Sequence, residues 1–397
     1  MTTLTRFLYD EQEVKLSFIS AMLKQRDICE CYYWASELYY SNIDIFQLLL
    51  QIYNDYYAML NPFFEHFIIK KMNQWISSKN IDHIFYCIIN MYVLKHNYKV
   101  FIMRQLYNTD TYPTIIQINK KKQLTFKINK EEWFSLFDAK FHHLLVSIKY
   151  IRYNNICYYL KELIKLTSTK DIYIMLIQYY SMITEKIADD NTINEMLIYF
   201  TNRQYNDEIH SLLTIICYLE YNNTNISDNK MKLYIRPNPE HILLIKNIEL
   251  ELIPLNKNGI RDIYKTLEYK RLYSIDCNIG SFNLNRYTFD TFESYKNEIL
   301  THWDYYASGS KLWNDRIIQE YNGIINHNTK LLEFENDDKL EEFYLKYGFD
   351  LDEQPKIIQD LSLLYIEKTN YTKWIEYIYN DTNLLKSFIL PDNFIFN

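Results

Sequence analysis

Apolar residues over the first hundred positions recur at helical spacing. From about Glu11 to Lys24, Val14, Phe18 and Met22 fall four apart, on one face of a predicted helix. Asp27-Ile28-Cys29-Glu30 then has the form of a capping box, an N-cap acid with Glu three residues on. The helix it opens carries Cys31, Trp34, Ala35, Leu38 and Tyr39 as one apolar stripe, ended by Ser41-Asn42. Asp44 predicts a cap for a third helix with Phe46, Leu49, Leu50, Tyr53 and Tyr57 inward. Asn61-Pro62 opens a fourth, with Pro at the first helical position. Asp82 predicts a cap for a fifth, from about His83 to Lys95. Short connections between helices of this length imply antiparallel hairpins, stacked as a bundle or a short solenoid.

Near Tyr107 the period changes. Residues 114–118 and 123–128 are β-branched and partly alternating, with Asn119-Lys120-Lys121-Lys122 between them, which predicts a β-hairpin. Helical patterning resumes from about Lys130 to Tyr221, and a polar loop follows from Asn222 to Lys230. Beyond it the reading is mixed. Arg236-Pro237-Asn238-Pro239 breaks the chain, Ile248 to Ile253 alternates like a strand, and Gly259 opens a helix to about Tyr273. The tail alternates helices with acidic turns such as Glu335 to Asp338. The expected fold is mainly α: stacked antiparallel helical hairpins with a small β-hairpin and a mixed α/β segment after residue 230. The corresponding division is a helical domain at 1–106, a basic hairpin insertion at 107–130, a second helical region at 131–221 and a mixed, mostly helical domain at 222–397.

Composition narrows the chemistry. The 397 residues include five glycines, the first at Gly259. Phosphate-cradling loops need glycine for close backbone approach, and neither the GxxxxGK[ST] loop, the GxGxxG turn nor the GxSxG elbow occurs. A net charge of −7 argues against a globally basic nucleic-acid coat. No uncharged apolar run approaches the roughly 18 residues of a membrane span, and the amino terminus has no signal-peptide pattern, so a soluble intracellular protein without membrane contact is expected. The six cysteines, mostly far apart in apolar helical patterns, read as buried free thiols. The 39 tyrosines, with many Ile, Asn and Lys, are the amino acids of AT-rich codons.

Few constellations suggest reactivity. His83 and Cys87 share a helix face but have no second ligand pair nearby, and Cys29 and Cys31 diverge. His142 and His143 diverge likewise. The acid pairs Glu131-Glu132, Asp189-Asp190 and Glu341-Glu342 lie in charged segments. The expectation is therefore no catalytic residue, no cofactor and no metal. Lys120, Lys121, Lys122, Lys127 and Lys130 concentrate positive charge that can contact RNA or DNA phosphates, or simply guard a solvated edge. His302 to Tyr306 and Trp313 to Arg316 are rich in aromatics, a pattern of either core or a binding hot spot built on Trp303, Trp313 and Arg316.

Tyr158, Leu163 and Ile164 fit Tyr-x4-Leu-apolar, as do Tyr379, Leu384 and Leu385. This resembles the helix by which partners grip the cap-binding translation factor. Two broader resemblances follow. Tyr33-Trp34-Ala35-Ser36-Glu37-Leu38-Tyr39-Tyr40, Ile52 to Ala58 with Asn61-Pro62, Trp303 to Tyr306 and Trp313 to Arg316, in this AT-driven composition, resemble uncharacterised helical proteins of giant nucleocytoplasmic DNA viruses. Residues 15–95 resemble the helical collar of RarA-type clamp-loader relatives, with Tyr33, Trp34, Ala35, Asp44, Asp55 and Pro62 in comparable places and the ATPase module missing. These resemblances imply a viral origin and a helical assembly surface. The expectation is a non-enzymatic scaffold or adaptor of a large DNA virus, in host cytoplasm or viral factory. It would bridge viral or host proteins in a nucleic-acid-handling complex: translation initiation, or else replication or transcription. The alternative is a minor structural protein of the virion.

Overall fold

A computed structural model describes residues 3–41, 43–108, 139–183, 208–222, 234–247, 288–347 and 371–379. It also describes shorter pieces at 267, 270–276, 278, 356–362, 367 and 369. The chain is mainly helical with one small antiparallel hairpin among the described residues, and it divides into two compact units. The first comprises Met1–Leu49, Lys70–Val93 and Tyr234–Tyr379; the second comprises Leu50–Ile69, Leu94–Leu233 and Asn380–Asn397.

In the first unit, helix α1 (Glu11–Leu23) starts at Asp10, whose carboxylate accepts from the backbone N–H groups of Gln12 and Glu13. Val14, Phe18 and Met22 are buried as their spacing predicts. Helix α2 (Ile28–Tyr40) is capped by Asp27 through the Cys29 N–H. The capping box is only half made: Glu30 turns to the Arg26 guanidinium and the Trp34 indole instead. Burial on α2 also exceeds one stripe. Tyr32, Tyr33, Ser36 and Glu37 are buried beside Trp34 and Leu38, while Tyr39 is only half-buried. The reason is tertiary: α1, helix α5 (Asp82–Tyr92) and the helix Pro239–Asn247 all pack on α2. Asp82 is the first residue of α5 rather than its cap, and its N–H is taken by Asn80 Oδ1. The Tyr92 hydroxyl donates to the carbonyls of Gln25 and Arg26, and so fixes the end of α5 to the α1–α2 turn.

Helix α3 (Ile45–Ile52) is capped by Asp44 through Phe46 and Gln47, and Phe46, Leu49, Leu50, Tyr53 and Tyr57 are buried as expected. It runs into one π-helical turn, Tyr53–Tyr57, in the second unit. After Pro62 a short 3-10 turn leads into helix α4 (Glu65–Ser78). Helix α6 (Lys99–Asn108) is the centre of the second unit: the π turn and the helices Tyr153–Ile164 and Glu208–Asn222 all pack on it. The helices Ala139–Lys149 and Tyr153–Ile164 form a hairpin joined by three residues, the kind of unit that short connections predict. Met103 lies at the heart of this core; its carbonyl accepts from the Cys157 thiol and its sulfur lies 3.3 Å from Cys217 Sγ.

The small antiparallel sheet pairs β1 (Ile324–Asn326) with β2 (Leu331–Glu333), with Ile324 opposite Glu333, Ile325 opposite Leu332 and Asn326 opposite Leu331. Asn326 Oδ1 accepts from Asn328 and Thr329 and shapes the turn, which Lys330 completes at a positive φ. This hairpin interrupts a tail expected to hold helices and acidic turns, because three-residue strands are too short to show alternation in the sequence. The basic hairpin expected at 114–128, the strand at 248–253 and the helix opened by Gly259 lie outside the described residues.

Candidate interaction site

The aromatic segments that stand out in the sequence meet within the first unit. Ser310 caps the short helix Lys311–Asn314, which buries Trp313 completely. The rings of Trp303 and Trp313 meet edge-on with centroids 5.6 Å apart. The Arg316 guanidinium lies 4.9 Å from the Trp313 ring and 4.3 Å from the Tyr347 ring, at cation–π range. Phe343, fully buried on the helix Asp337–Tyr347, joins Trp313, Tyr321 and Phe334 to this cluster.

A layer of ionic contacts lies over the rings. Glu320 accepts from Lys346 Nζ at 3.0 Å and from the Tyr347 hydroxyl at 2.5 Å. The Tyr347 hydrogen bond, reinforced by Lys346, holds the Glu320 carboxyl below its ordinary range. Burial, with Glu320 alongside, pushes the Tyr347 phenol up to about 12. Asp304 is buried, and burial raises its carboxyl pKa even though Tyr344 and the Tyr305 N–H donate to it. Nearby, Lys330 pairs with Glu298, which also accepts from the Tyr306 hydroxyl at 2.8 Å. Burial opposes ionisation of Glu298, but Lys330 and Tyr306 hold its pKa down. At neutral pH the Glu320 and Glu298 carboxyls are thus ionised and the Tyr347 phenol is protonated. They orient the rings and hold the short hairpin against them.

Around this polar layer the surface is apolar in places. Ile324 and Leu331 on the hairpin are 63 % and 51 % exposed, and Ile318 and Leu345 are exposed as well. The candidate site is therefore a packed aromatic platform with an aliphatic outer edge. Trp303 and Trp313 supply the platform and not the contact surface, because both are buried; Arg316 is half-buried.

The second sequence candidate sits in the other unit. On the helix Tyr153–Ile164, Tyr158 and Ile164 are half-buried but Leu163 is core. A Tyr-x4-Leu grip needs that leucine free, and here it packs within its own unit. Tyr379 ends the helix Tyr371–Tyr379, while Leu384 and Leu385 lie outside the described residues. Lys120, Lys121, Lys122, Lys127 and Lys130 lie outside them too, as do Glu131, Glu132, Asp189 and Asp190. Among the described residues no group of three or more His, Cys, Asp or Glu is placed to hold a metal. Cys29, Cys31 and Cys87 are buried, and burial raises each thiol pKa. His143 stacks on Tyr159. Of the positions shared with the clamp-loader collar, Tyr33, Trp34 and Ala35 are core, Asp44 is an exposed cap and Asp55 is a buried ion-pair partner.

Two buried polar centres were not read from the sequence. In the first unit, Glu37 accepts from the Thr5 hydroxyl at 2.8 Å, from the Phe7 N–H and from Arg6, all buried. In the second, Asp55 on the π turn accepts two hydrogen bonds from Arg104, at 2.8 and 2.7 Å, and lies 2.9 Å from His210 Nε2. The only sequence signal is an acid inside an apolar stripe, Glu37 among α2's core positions and Asp55 among tyrosines. Their partners lie tens to hundreds of residues away.

No protein-family model matches the chain, and no curated protein and no solved structure matches it significantly. Among the described residues no helix is long and apolar enough to cross a membrane.

Proposed function

We propose that this protein is a non-enzymatic helical scaffold or adaptor of a large DNA virus, joining proteins of a nucleic-acid-handling complex in the host cytoplasm or viral factory. One observation carries the reading: large aliphatic side chains stand in water on ordered elements. Leu243 and Leu244 on the helix Pro239–Asn247 are more than half exposed, as are Ile324 and Leu331 on the hairpin. Single exposed aliphatics are ordinary, but neighbours on rigid elements are the raw material of a protein interface. The AT-driven composition and the resemblances in residues 33–62 and 303–316 support the viral source.

Affinity purification of the tagged protein from infected cells, with and without nuclease, tests the proposal. Recovery of translation, replication or transcription proteins that survives nuclease is the expected result. Loss on nuclease treatment points to a nucleic-acid bridge, through the lysines at 120–130. Recovery of capsid and core proteins alone overturns the adaptor role and makes the chain a virion component.

A further inference from the structure

The outer face of the β1–β2 hairpin combines three features. Its register puts Ile324, Asn326, Leu331 and Glu333 on one side of the pleat, while Leu332 faces inward and is buried. Ile324 and Leu331 on that outer side are the aliphatic residues left in water. The sheet has two strands, so among the described residues each strand has an outer edge with no strand beside it. An edge with backbone donors and acceptors is where an extended segment of another chain can pair.

The third feature is charge. From Glu333 to Glu342 the chain carries Glu333, Glu335, Asp337, Asp338, Glu341 and Glu342 against a single lysine, Lys339. All six acids are exposed. Asp337 and Asp338 suit the first turn of their helix, where the dipole favours acids. Glu333 and Glu335 precede the helix and have no such role. Glu333 lies on the same face as the two aliphatics and accepts from Asn326 Nδ2 at 2.6 Å, which fixes its carboxylate beside them.

We propose that this hairpin face docks an extended partner segment that carries aliphatic residues and lysine or arginine together on one face, at every second position. This rests on the adaptor reading and gives it a partner chemistry. Aliphatic side chains on that face cover Ile324 and Leu331, the segment's backbone pairs with an outer strand edge, and its cations meet Glu333 on the same side of the pleat and the exposed acids that follow it. Charge complementarity selects the occupant: an acidic segment of the same shape is repelled, and the effect weakens as salt screens it.

Fluorescence anisotropy on the full chain, with a short labelled peptide repeating Val-Ser-Lys-Ser, tests this against the same repeat with glutamate in place of lysine. The expected result is binding of the lysine peptide at least about tenfold tighter than the glutamate peptide, falling as salt rises. Ile324→Asn with Leu331→Asn lowers that affinity by about tenfold, whereas Ile324→Val with Leu331→Val keeps it. Glu333→Lys with Glu335→Lys reverses the peptide preference. All positions changed are exposed, and far-UV circular dichroism with a melting curve confirms that each variant folds. Equal binding of the two peptides, no binding of either, or affinities that ignore the variants overturns the proposal. If the purification recovers partners and the lysine peptide fails, the docking chemistry fails alone. If the peptide binds as expected and no partner is recovered, the adaptor reading fails.

Discussion

The indole N–H of Trp313 donates to the carbonyl oxygen of Arg6 at 3.1 Å, joining residues 307 apart in sequence. The Arg6 side chain, in the same segment, is buried with Glu37. The stretch from Leu4 to Asp10 is held from several further directions. The Leu4 N–H donates to the Tyr306 carbonyl, Arg271 donates to the carbonyls of Phe7 and Leu8, and the Tyr295 hydroxyl donates to Asp10. Leu8, at a positive φ, turns this stretch. Trp313→Phe keeps most of the volume but leaves the Arg6 carbonyl without its donor. The expected loss is about 1–3 kcal/mol, while Trp313→Ala loses about 3–5 kcal/mol. Denaturant midpoints of the two variants check the order.

The Arg6–Glu37 pair is deeply buried, so its loss should be asymmetric. Glu37→Leu removes the carboxylate that Arg6, the Thr5 hydroxyl and the Phe7 N–H share in the core, costing about 3–5 kcal/mol. Adding Arg6→Met takes the buried cation away as well and recovers part of that loss. A double-mutant cycle measures the coupling; additive losses would show that the two side chains act independently.

Asp55 gives the second unit a pH dependence of known sign. Burial alone would raise its pKa, but Arg104 and then His210 outweigh burial and hold it below the ordinary aspartate value. Unfolding restores the ordinary value. The stabilisation is therefore complete above that value and is lost as pH falls through the depressed folded pKa. The stability gap between the wild type and Asp55→Asn should shrink as pH falls from about 5 towards about 2. A gap that stays constant with pH would contradict a carboxylate held this way.

Among the described residues, Cys29, Cys31, Cys87, Cys157 and Cys217 are buried thiols outside any disulfide. Burial raises the pKa of the Cys31, Cys87 and Cys157 thiols, so little thiolate exists at neutral pH. Alkylation of the native protein, mapped by mass spectrometry, should leave these three unmodified. The same reagent in denaturant should label them all.

Gly323 shows why one of the few glycines is needed. A Cβ there would meet Ile317 Cγ2, the Ile317 carbonyl oxygen and Phe334 Cε1, each at 3.0 Å. The Gly323 N–H also donates to that carbonyl, which brings the two backbones close just before β1. Gly323→Ala should cost about 1–3 kcal/mol through this crowding. It should also raise hydrogen exchange in the hairpin, which places the effect there.

Local patterning was legible in the sequence. Val14, Phe18 and Met22, or Phe46, Leu49 and Leu50, report the buried side of a helix because the 3.6-residue period is set by the backbone itself. Asp27 and Asp44 report helix starts because a carboxylate two or three residues from free N–H groups satisfies them wherever the helix goes. The mainly helical fold follows from such signals.

The tertiary structure decided how those helices use their surfaces. Whether an apolar face is core or interface depends on what returns to cover it, and periodicity is the same in both cases. Residues 234–379 rejoin residues 1–49, and so Trp313 is core and Tyr33 and Glu37 are enclosed on all sides. Leu163 is covered, while Ile324 and Leu331 remain in water. Arg104 and His210 gain their meaning only beside Asp55. Buried charges need partners at about 3 Å, and the chain meets that need with residues whose spacing in sequence carries no signal.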